Sequence, residues 1–412
     1  MANMDMQDFT RPLINRNASK VILLVLDGLG GLPATEGPDK GKTELEAAYT
    51  PHMDTLAGSS ACGLHEPVGM GIKPGSGPGH LSLFGYDPRR YQIGRGILEC
   101  LGLGLEVSRK DIALRCNYST IKDGIIMDRR AGRIPTPESA RITSRLMKAI
   151  TRVDDAEITF SPGMEHRFAV RMRFPEALHE GASAINDTDP QEVGKPPLKP
   201  EGETPEAAKI AAVAEKLISL MAQELKDEPV ANYALLRGFS QLPDMPTFEE
   251  ATGMRPLAVA AYPMYRGVAT LVGMAAPALE GDLREEIDFL KANYDKYDFF
   301  FMHVKKVDSY GEDGNFEAKR DKIAEVDRFL PEILDLKPDV LIITGDHSTP
   351  AVMSGHSWHP VPVLLRSPYV LGGLCTGFSE RQCVGGELGV FPSVNLMPLA
   401  MANAGRLNKF GA

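Results

Sequence analysis

Asp346-His347 and the nearby His356, in GDHSTP and GHSWHPVPVLL, are residue types that bind metal ions. Neighbours on a regular strand point to opposite faces, so the pair can reach one ion only where a strand ends and the backbone turns. Asp308 and Glu312 form a second acidic pair in DSYGE. On one helical turn they share a face, and carboxylates that close repel unless a cation sits between them or one is protonated. A cation is the economical resolution. Asp27, in LDGLGG, is a further carboxylate at the end of an apolar run. A solvated loop would account for each segment alone; the combination points to a metal centre. Ser76 lies in PGSGPGH, where the flanking Gly and Pro permit unusual backbone angles and close approach by another group. This is not the Gly-x-Ser-x-Gly elbow, and no His-Asp partner is evident nearby. A nucleophilic hydroxyl here therefore needs another activator, which a metal ion supplies. The glycines after Asp27 lack dinucleotide-fingerprint spacing, and Asp27 would repel a pyrophosphate.

These residues must be carried by elements that bring distant segments together. Val21–Leu26 (VILLVL), Phe299–Val304 (FFFMHV), Val340–Thr344 (VLIIT) and Val361–Leu365 (VPVLL) are continuous apolar runs. Such runs predict strands buried on both faces of a mostly parallel sheet. Asp27, Asp308 and Asp346 follow three of them, where open α/β sheets form their crevice. The middle of the chain differs. Arg167–Arg173 (RFAVRMR) alternates as a half-exposed strand, and Asn232–Leu236 predicts another short one. A long Pro- and Gly-rich loop spans Asn186–Pro205, and Pro205–Lys226 carries Pro at its start and helical periodicity. The expected architecture is an α/β sheet domain from residues 1–114 and 286–412, with a smaller α/β domain inserted at 115–285.

Composition narrows the function. Hydrophobic residues make up 43% of the chain and the formal net charge is −10, with no basic tract. Nucleic acid and anionic membrane are excluded as expected partners. The 5 cysteines form no CxxC pair, so buried free thiols are expected rather than disulfides or a zinc knuckle. The first residues lack the apolar core of a signal peptide, and no run is long enough to span a membrane. A reducing cytoplasm is the expected location.

Across nearly its whole length the chain resembles the cofactor-independent phosphoglycerate mutases of the archaeal-type branch, in the alkaline phosphatase superfamily. The resemblance is carried by LDGLGGLP, LEAAYTPHMDTLA, GHLSLFGYDP, DRRAGRI, EHRF, NDTDP, NYALLRGFS, AAYPMYRGVA, TGDHSTP, HSWHPVPVLL and FPSVNLMPLAMANAGRLNKFGA. It implies two divalent ions, manganese before magnesium, cobalt or zinc, and no 2,3-bisphosphoglycerate. One ion would be held by Asp27, Ser76, Asp346 and His347, with Ser76 as phosphoryl acceptor. The other would be held by Asp308, His356 and Glu312, where better-known members have histidine. The resemblance assigns Asn117, Arg129, Arg130, Arg133, His166, Arg167, Asp187, Asp189, Arg237 and Arg266 to the substrate domain. Guanidinium forks suit the carboxylate and phosphate of a phosphoglycerate. Arg237 ends an apolar strand with no acid beside it in NYALLRGFS.

The expected reaction is interconversion of 3- and 2-phosphoglycerate through phosphoserine at Ser76. Asp187 is the expected acid/base and Arg237 stabilises the transferring group. The rivals are other metal-dependent phosphotransferases, phosphomonoesterases or phosphonate hydrolases on the same scaffold, and a non-catalytic binding protein.

Overall fold

The computed structural model describes residues 6–279 and 281–411. In chain order its strands are β1 (Val21–Leu26), β2 (Ala61–Glu66), β3 (Asp111–Lys122), β4 (Ile125–Asp128), β5 (Arg152–Val153), β6 (Ala156–Pro162) and β7 (Arg167–Arg173), followed by β8 (Tyr233–Leu235), β9 (Pro256–Val259), β10 (Phe299–Val304), β11 (Val340–Thr344), β12 (Val361–Arg366) and β13 (Gly389–Pro392). They fall into two compact units, one formed by Met1–Gln92 and Met245–Ala412, the other by Ile93–Asp244.

The first unit holds a seven-stranded sheet in the order β13-β2-β12-β11-β1-β10-β9. β1 pairs in parallel with β10 and β11, and β9 continues parallel to β10. β12 runs against both of its neighbours. Every residue of β1, β10 and β11 is buried, as continuous β-branched and aromatic runs require in a sheet covered on both sides. Alternate residues divide between the faces. Ile22, Leu24, Phe300, Met302, Leu341 and Ile343 join one core with side chains of helices Pro51–Ala57, Leu283–Asn293 and Phe316–Leu334. On the other face Phe301 meets Phe84 edge-on, and Phe299 packs on Phe248. Each such side chain contributes about 1.5–3 kcal/mol by burial, so the core fixes the strand ends and the loops inherit their positions. Among the described residues, no helix is long and apolar enough to cross a membrane.

The second unit is an antiparallel sheet in the order β4-β3-β7-β6-β5, with β8 also paired to β3. Ile142 and Leu146 of helix Thr136–Ala149, and Ile210, Leu217 and Met221 of helix Pro205–Leu225, share its core.

Two expectations need correction. The boundaries at 115 and 285 are displaced, because 115 would cut through β3, whose pairing with β7 begins at Asp111. At the other end, β9 joins the sheet of the first unit through pairing with β10, and the division falls between Asp244 and Met245. The five central residues of Arg167–Arg173 are all buried, not half exposed, since the strand lies between β3 and β6.

Candidate active site

Three parallel strands deliver the acidic cluster. Asp27 directly follows β1, Asp346 lies two residues beyond β11, and Asp308 lies in the first turn of helix Lys306–Glu312 after β10. All three are fully buried, as is His347. His347 Nε2 is 3.5 Å from Asp27 Oδ1 and 3.2 Å from Asp346 Oδ2. Ser76 opens helix Ser76–Leu83, and its Oγ lies 3.1 Å from the same Nε2. On the adjoining side, His356 Nε2 is 3.6 Å from Asp308 Oδ1 and 3.5 Å from Glu312 Oε1. Asp27, Asp346 and His347, and separately Asp308, His347 and His356, place ligand atoms close enough to hold one cation each.

The electrostatics of the pocket are those of a site built for positive charge. Both Asp27 carboxylate oxygens and Asp346 Oδ2 are buried without a hydrogen-bond partner. Burial opposes ionisation of Asp27, but the His303 ring and then His347 and Lys305 outweigh it and hold its carboxyl well below the usual range. Burial and the charge of Asp27 push Asp346 up, with His80 opposing. Burial drives the His347 imidazole down to about 3, so it is a neutral ring with a lone pair to donate. Lys305 contributes one fixed cation: its Nζ lies 3.4 Å from Asp27 Oδ2 and donates to Asp308 Oδ2.

The glycines after Asp27 serve close approach. A Cβ on Gly28, which sits at φ +65, would stand 2.5 Å from Thr349 Oγ1, and one on Gly30 would stand 1.9 Å from Ser348 Oγ. Gly79 does the same on the Ser76 helix, where a Cβ would lie 2.5 Å from the Asp346 carbonyl oxygen. Gly79→Ala must therefore shift either Ser76 or Asp346. The expected result is a folded protein with turnover reduced on the order of a hundredfold, the cost of roughly ångström-scale misplacement. Turnover at saturating metal, measured beside thermal unfolding, checks this; wild-type turnover would contradict it.

In the second unit a cavity of about 260 Å³ is lined by Arg95, Arg115, Arg130, Arg167 and Arg237 with Asn117, His166, Asp187 and Gly238. Arg115 and Asn117 sit two apart on β3 and share a face, while Arg167 is the register partner of Asn117 on β7. Five guanidinium groups face a single carboxylate in the lining. Arg237 Nε is buried without a hydrogen-bond partner, 3.6 Å from Asp187 Oδ2 and 3.5 Å from Asp189 Oδ2. Burial, then the charge of Arg167, pushes His166 down to about 4, keeping it neutral. Such a lining suits a small ligand bearing more than one negative group.

A family profile described as 2,3-bisphosphoglycerate-independent phosphoglycerate mutase matches residues 57–231. An Aquifex aeolicus relative, described as a "probable 2,3-bisphosphoglycerate-independent phosphoglycerate mutase", is 58% identical over 98% of this chain and 100% of its own length. The chain belongs to the 2,3-bisphosphoglycerate-independent phosphoglycerate mutases. A Thermus thermophilus relative of the same description is 49% identical over 99% of this chain and 100% of that one. Among solved structures, a Pyrococcus horikoshii protein aligns with TM-score 0.80 and 30% identity, covering 96% of this chain and 100% of that one. The cofactor-independent phosphoglycerate mutase of Thermoplasma acidophilum aligns at 0.76 and 29%, covering 94% and 100%.

The mutase chain gathers its sequence-predicted residues unevenly. Asp27, Ser76, Asp346, His347, Asp308, His356 and Glu312 are brought together in the first unit. Asn117, Arg130, His166, Arg167, Asp187 and Arg237 line the cavity of the second. Arg129 is not in that lining; it forms a two-pronged pair with the buried Asp189, at 2.7 and 2.8 Å. Arg133 is exposed and also outside the lining. Arg266 belongs to the first unit, on helix Pro263–Leu271, which follows β9. Arg237 has no acid beside it in sequence, yet the fold supplies Asp187 and Asp189. Sequence reasoning missed Arg95, Arg115, Lys305, His80 and His303. Arg115 had a legible signal, two positions before Asn117 on an alternating strand. His303, 3.2 Å from Asp27 Oδ2, was hidden as the one polar residue in FFFMHV. Ser76 does have a histidine partner, supplied from 271 residues away.

Proposed function

We propose that this family member interconverts 3-phosphoglycerate and 2-phosphoglycerate through a phosphoserine at Ser76, with two divalent cations in the carboxylate clusters. The observation that carries the reading is the Ser76 hydroxyl at 3.1 Å from His347 Nε2, at the edge of the fully buried carboxylates of Asp27 and Asp346. The residues fit divalent cations on chemical grounds. His356 Nδ1 faces the Pro74 carbonyl oxygen at 2.9 Å, an acceptor, so Nδ1 carries the proton and Nε2 is bare. That bare nitrogen faces carboxylates of Asp308 and Glu312, an arrangement that calls for a cation between them. Oxygen-rich donors with one imidazole each suit manganese or magnesium. When bound, the ions would supply positive charge against the transferring phosphoryl oxygens and acidify the serine hydroxyl.

Ser76 Oγ forms a bond to phosphorus as the ester bond to the glycerate oxygen breaks and that oxygen takes up a proton. The second glycerate hydroxyl then loses a proton and takes the phosphoryl group back, restoring Ser76. The backbone N–H groups at the start of helix Ser76–Leu83 favour the negative charge carried by phosphoserine. Arg237, with Arg130 and Arg167, is assigned to the substrate's anionic groups, and Asp187 to the proton exchange. The presence of Asp187 in the cavity lining supports that assignment, with Oδ1 accepting from the Gly238 amide at 2.7 Å and Oδ2 3.6 Å from Arg237 Nε. The test is incubation of purified protein with manganese and 3-phosphoglycerate, following 2-phosphoglycerate and free phosphate together. The expected result is 2-phosphoglycerate without matching phosphate release. Phosphate accumulating as fast as substrate disappears would make the protein a phosphatase.

A further inference from the structure

His347 belongs to both candidate cation clusters, Asp27/Asp346 and Asp308/His356. One imidazole can serve two ions only by giving up both ring protons. The hydroxyl of Thr349 decides between the clusters. Its Oγ1 donates to Asp308 Oδ1 at 2.6 Å and lies 3.0 Å from His347 Nδ1. A threonine hydroxyl has one proton, and the carboxylate, with the Lys305 ammonium on its other oxygen, only accepts. Thr349 Oγ1 must therefore accept from His347, which places the imidazole proton on Nδ1.

We infer that Thr349 is the positioning residue that fixes the tautomer of His347, committing its Nε2 to the Asp27/Asp346 cluster and withholding the ring from the Asp308/His356 cluster. The inference rests on the two-cation reading above for its consequence, but not for its geometry. Thr349 has little freedom to turn away. Its amide donates to Gly30 O at 3.0 Å, and its carbonyl accepts from the buried Lys319 Nζ at 2.8 Å. Lys319 also donates to Gly30 O, at 3.1 Å. The threonine is thus held at both backbone groups and at its hydroxyl, between the β1 loop and the β11 loop. With Nδ1 committed, the Asp27/Asp346 cluster has three ligands from distant segments. The other cluster is left with Asp308 and His356 and must find its third ligand elsewhere, with Glu312 the acid within reach.

The test uses the whole protein with nitrogen-15-labelled histidine. Long-range proton–nitrogen correlation spectra of the metal-free wild type should include, besides the ring of His356, a ring with a protonated Nδ1 and bare Nε2 that disappears in His347→Gln and so belongs to His347. Thr349→Val, nearly the same shape without the hydroxyl, should lose that signature and bind one of two manganese ions about 10–100-fold more weakly, the usual cost of removing an outer-shell partner. Thr349→Ser should restore both readouts, which a purely steric role for the methyl group would not allow. A proton on Nε2 in the wild type would overturn the inference, as would an unchanged tautomer and two unchanged affinities in Thr349→Val. Fewer than two ions in the wild type would instead strike the two-cation reading, and the metal-free tautomer would still decide the role of Thr349.

Discussion

Ser76→Ala is expected to reduce turnover on the order of 10⁴–10⁶-fold, the range seen when the residues of a covalent catalytic unit are removed one at a time. This corresponds to roughly 5–8 kcal/mol of lost transition-state stabilisation. The fold should survive. Ser76 is half buried, its helix is capped by Gly75 rather than by the serine, and its hydroxyl bonds to His347. Losing that one hydrogen bond costs about 0.5–1.5 kcal/mol, visible as a small shift in thermal unfolding. Two measurements separate chemistry from stability: turnover of a variant shown to be folded, and mass spectrometry of acid-quenched wild-type protein for phosphate on the peptide containing Ser76. A folded Ser76→Ala variant with near-wild-type turnover would remove the phosphoserine from the mechanism.

What made this site readable in the sequence is that its acids sit at the ends of elements with strong signals. β1, β10, β11 and β12 are continuous apolar runs, and each appears within one residue of its expected bounds. The adjacent, parallel β1, β10 and β11 then place Asp27, Asp308 and Asp346 on the same side. β2 (ACGLHE), β9 (PLAV) and β13 (GVFP) have weaker signals, being short or interrupted by Gly, Pro and His. Missing β9 is what moved the domain boundary, and with it Arg266, into the wrong unit. The substrate-domain arginines divide for a different reason, Arg130, Arg167 and Arg237 lining the cavity while Arg129 and Arg133 do not. Arg129, Arg130 and Arg133 fall within five residues, but they lie in a turn where successive side chains diverge. Only Arg130 reaches the cavity lining, Arg129 being held by Asp189. Charge and motif say that an arginine is present; local backbone geometry says whether it points inward. The buried polar contacts of His303 with Asp27 and of Lys319 with Gly30 join residues hundreds of positions apart, and no local periodicity reports such partners.

Glu312→Ala is expected to raise the manganese concentration needed for half-maximal activity by at least about tenfold, the lower end of what losing even an outer-shell partner costs. Glu312 closes helix Lys306–Glu312, one turn from Asp308, so both side chains lie on the face that meets His356. Its side chain is 52% exposed, which by itself suits a surface acid. Two features argue for more. His356 Nε2 carries no proton when Nδ1 donates to Pro74 O, so Glu312 and His356 attract each other only through a cation or an added proton. The competing donor His347 is already committed through Nε2 to the other cluster, leaving Asp308 and His356 short of a third ligand. Glu312→His should recover tight binding, and by replacing a hard oxygen with imidazole it should shift preference from manganese towards cobalt and zinc. Activity titrated with each metal, together with bound-metal stoichiometry, distinguishes the cases. An unchanged titration curve with two ions retained in Glu312→Ala would place Glu312 on the solvated surface. A surface pair of that kind contributes at most about 1 kcal/mol, so the variant's thermal stability in the absence of metal should then also match the wild type.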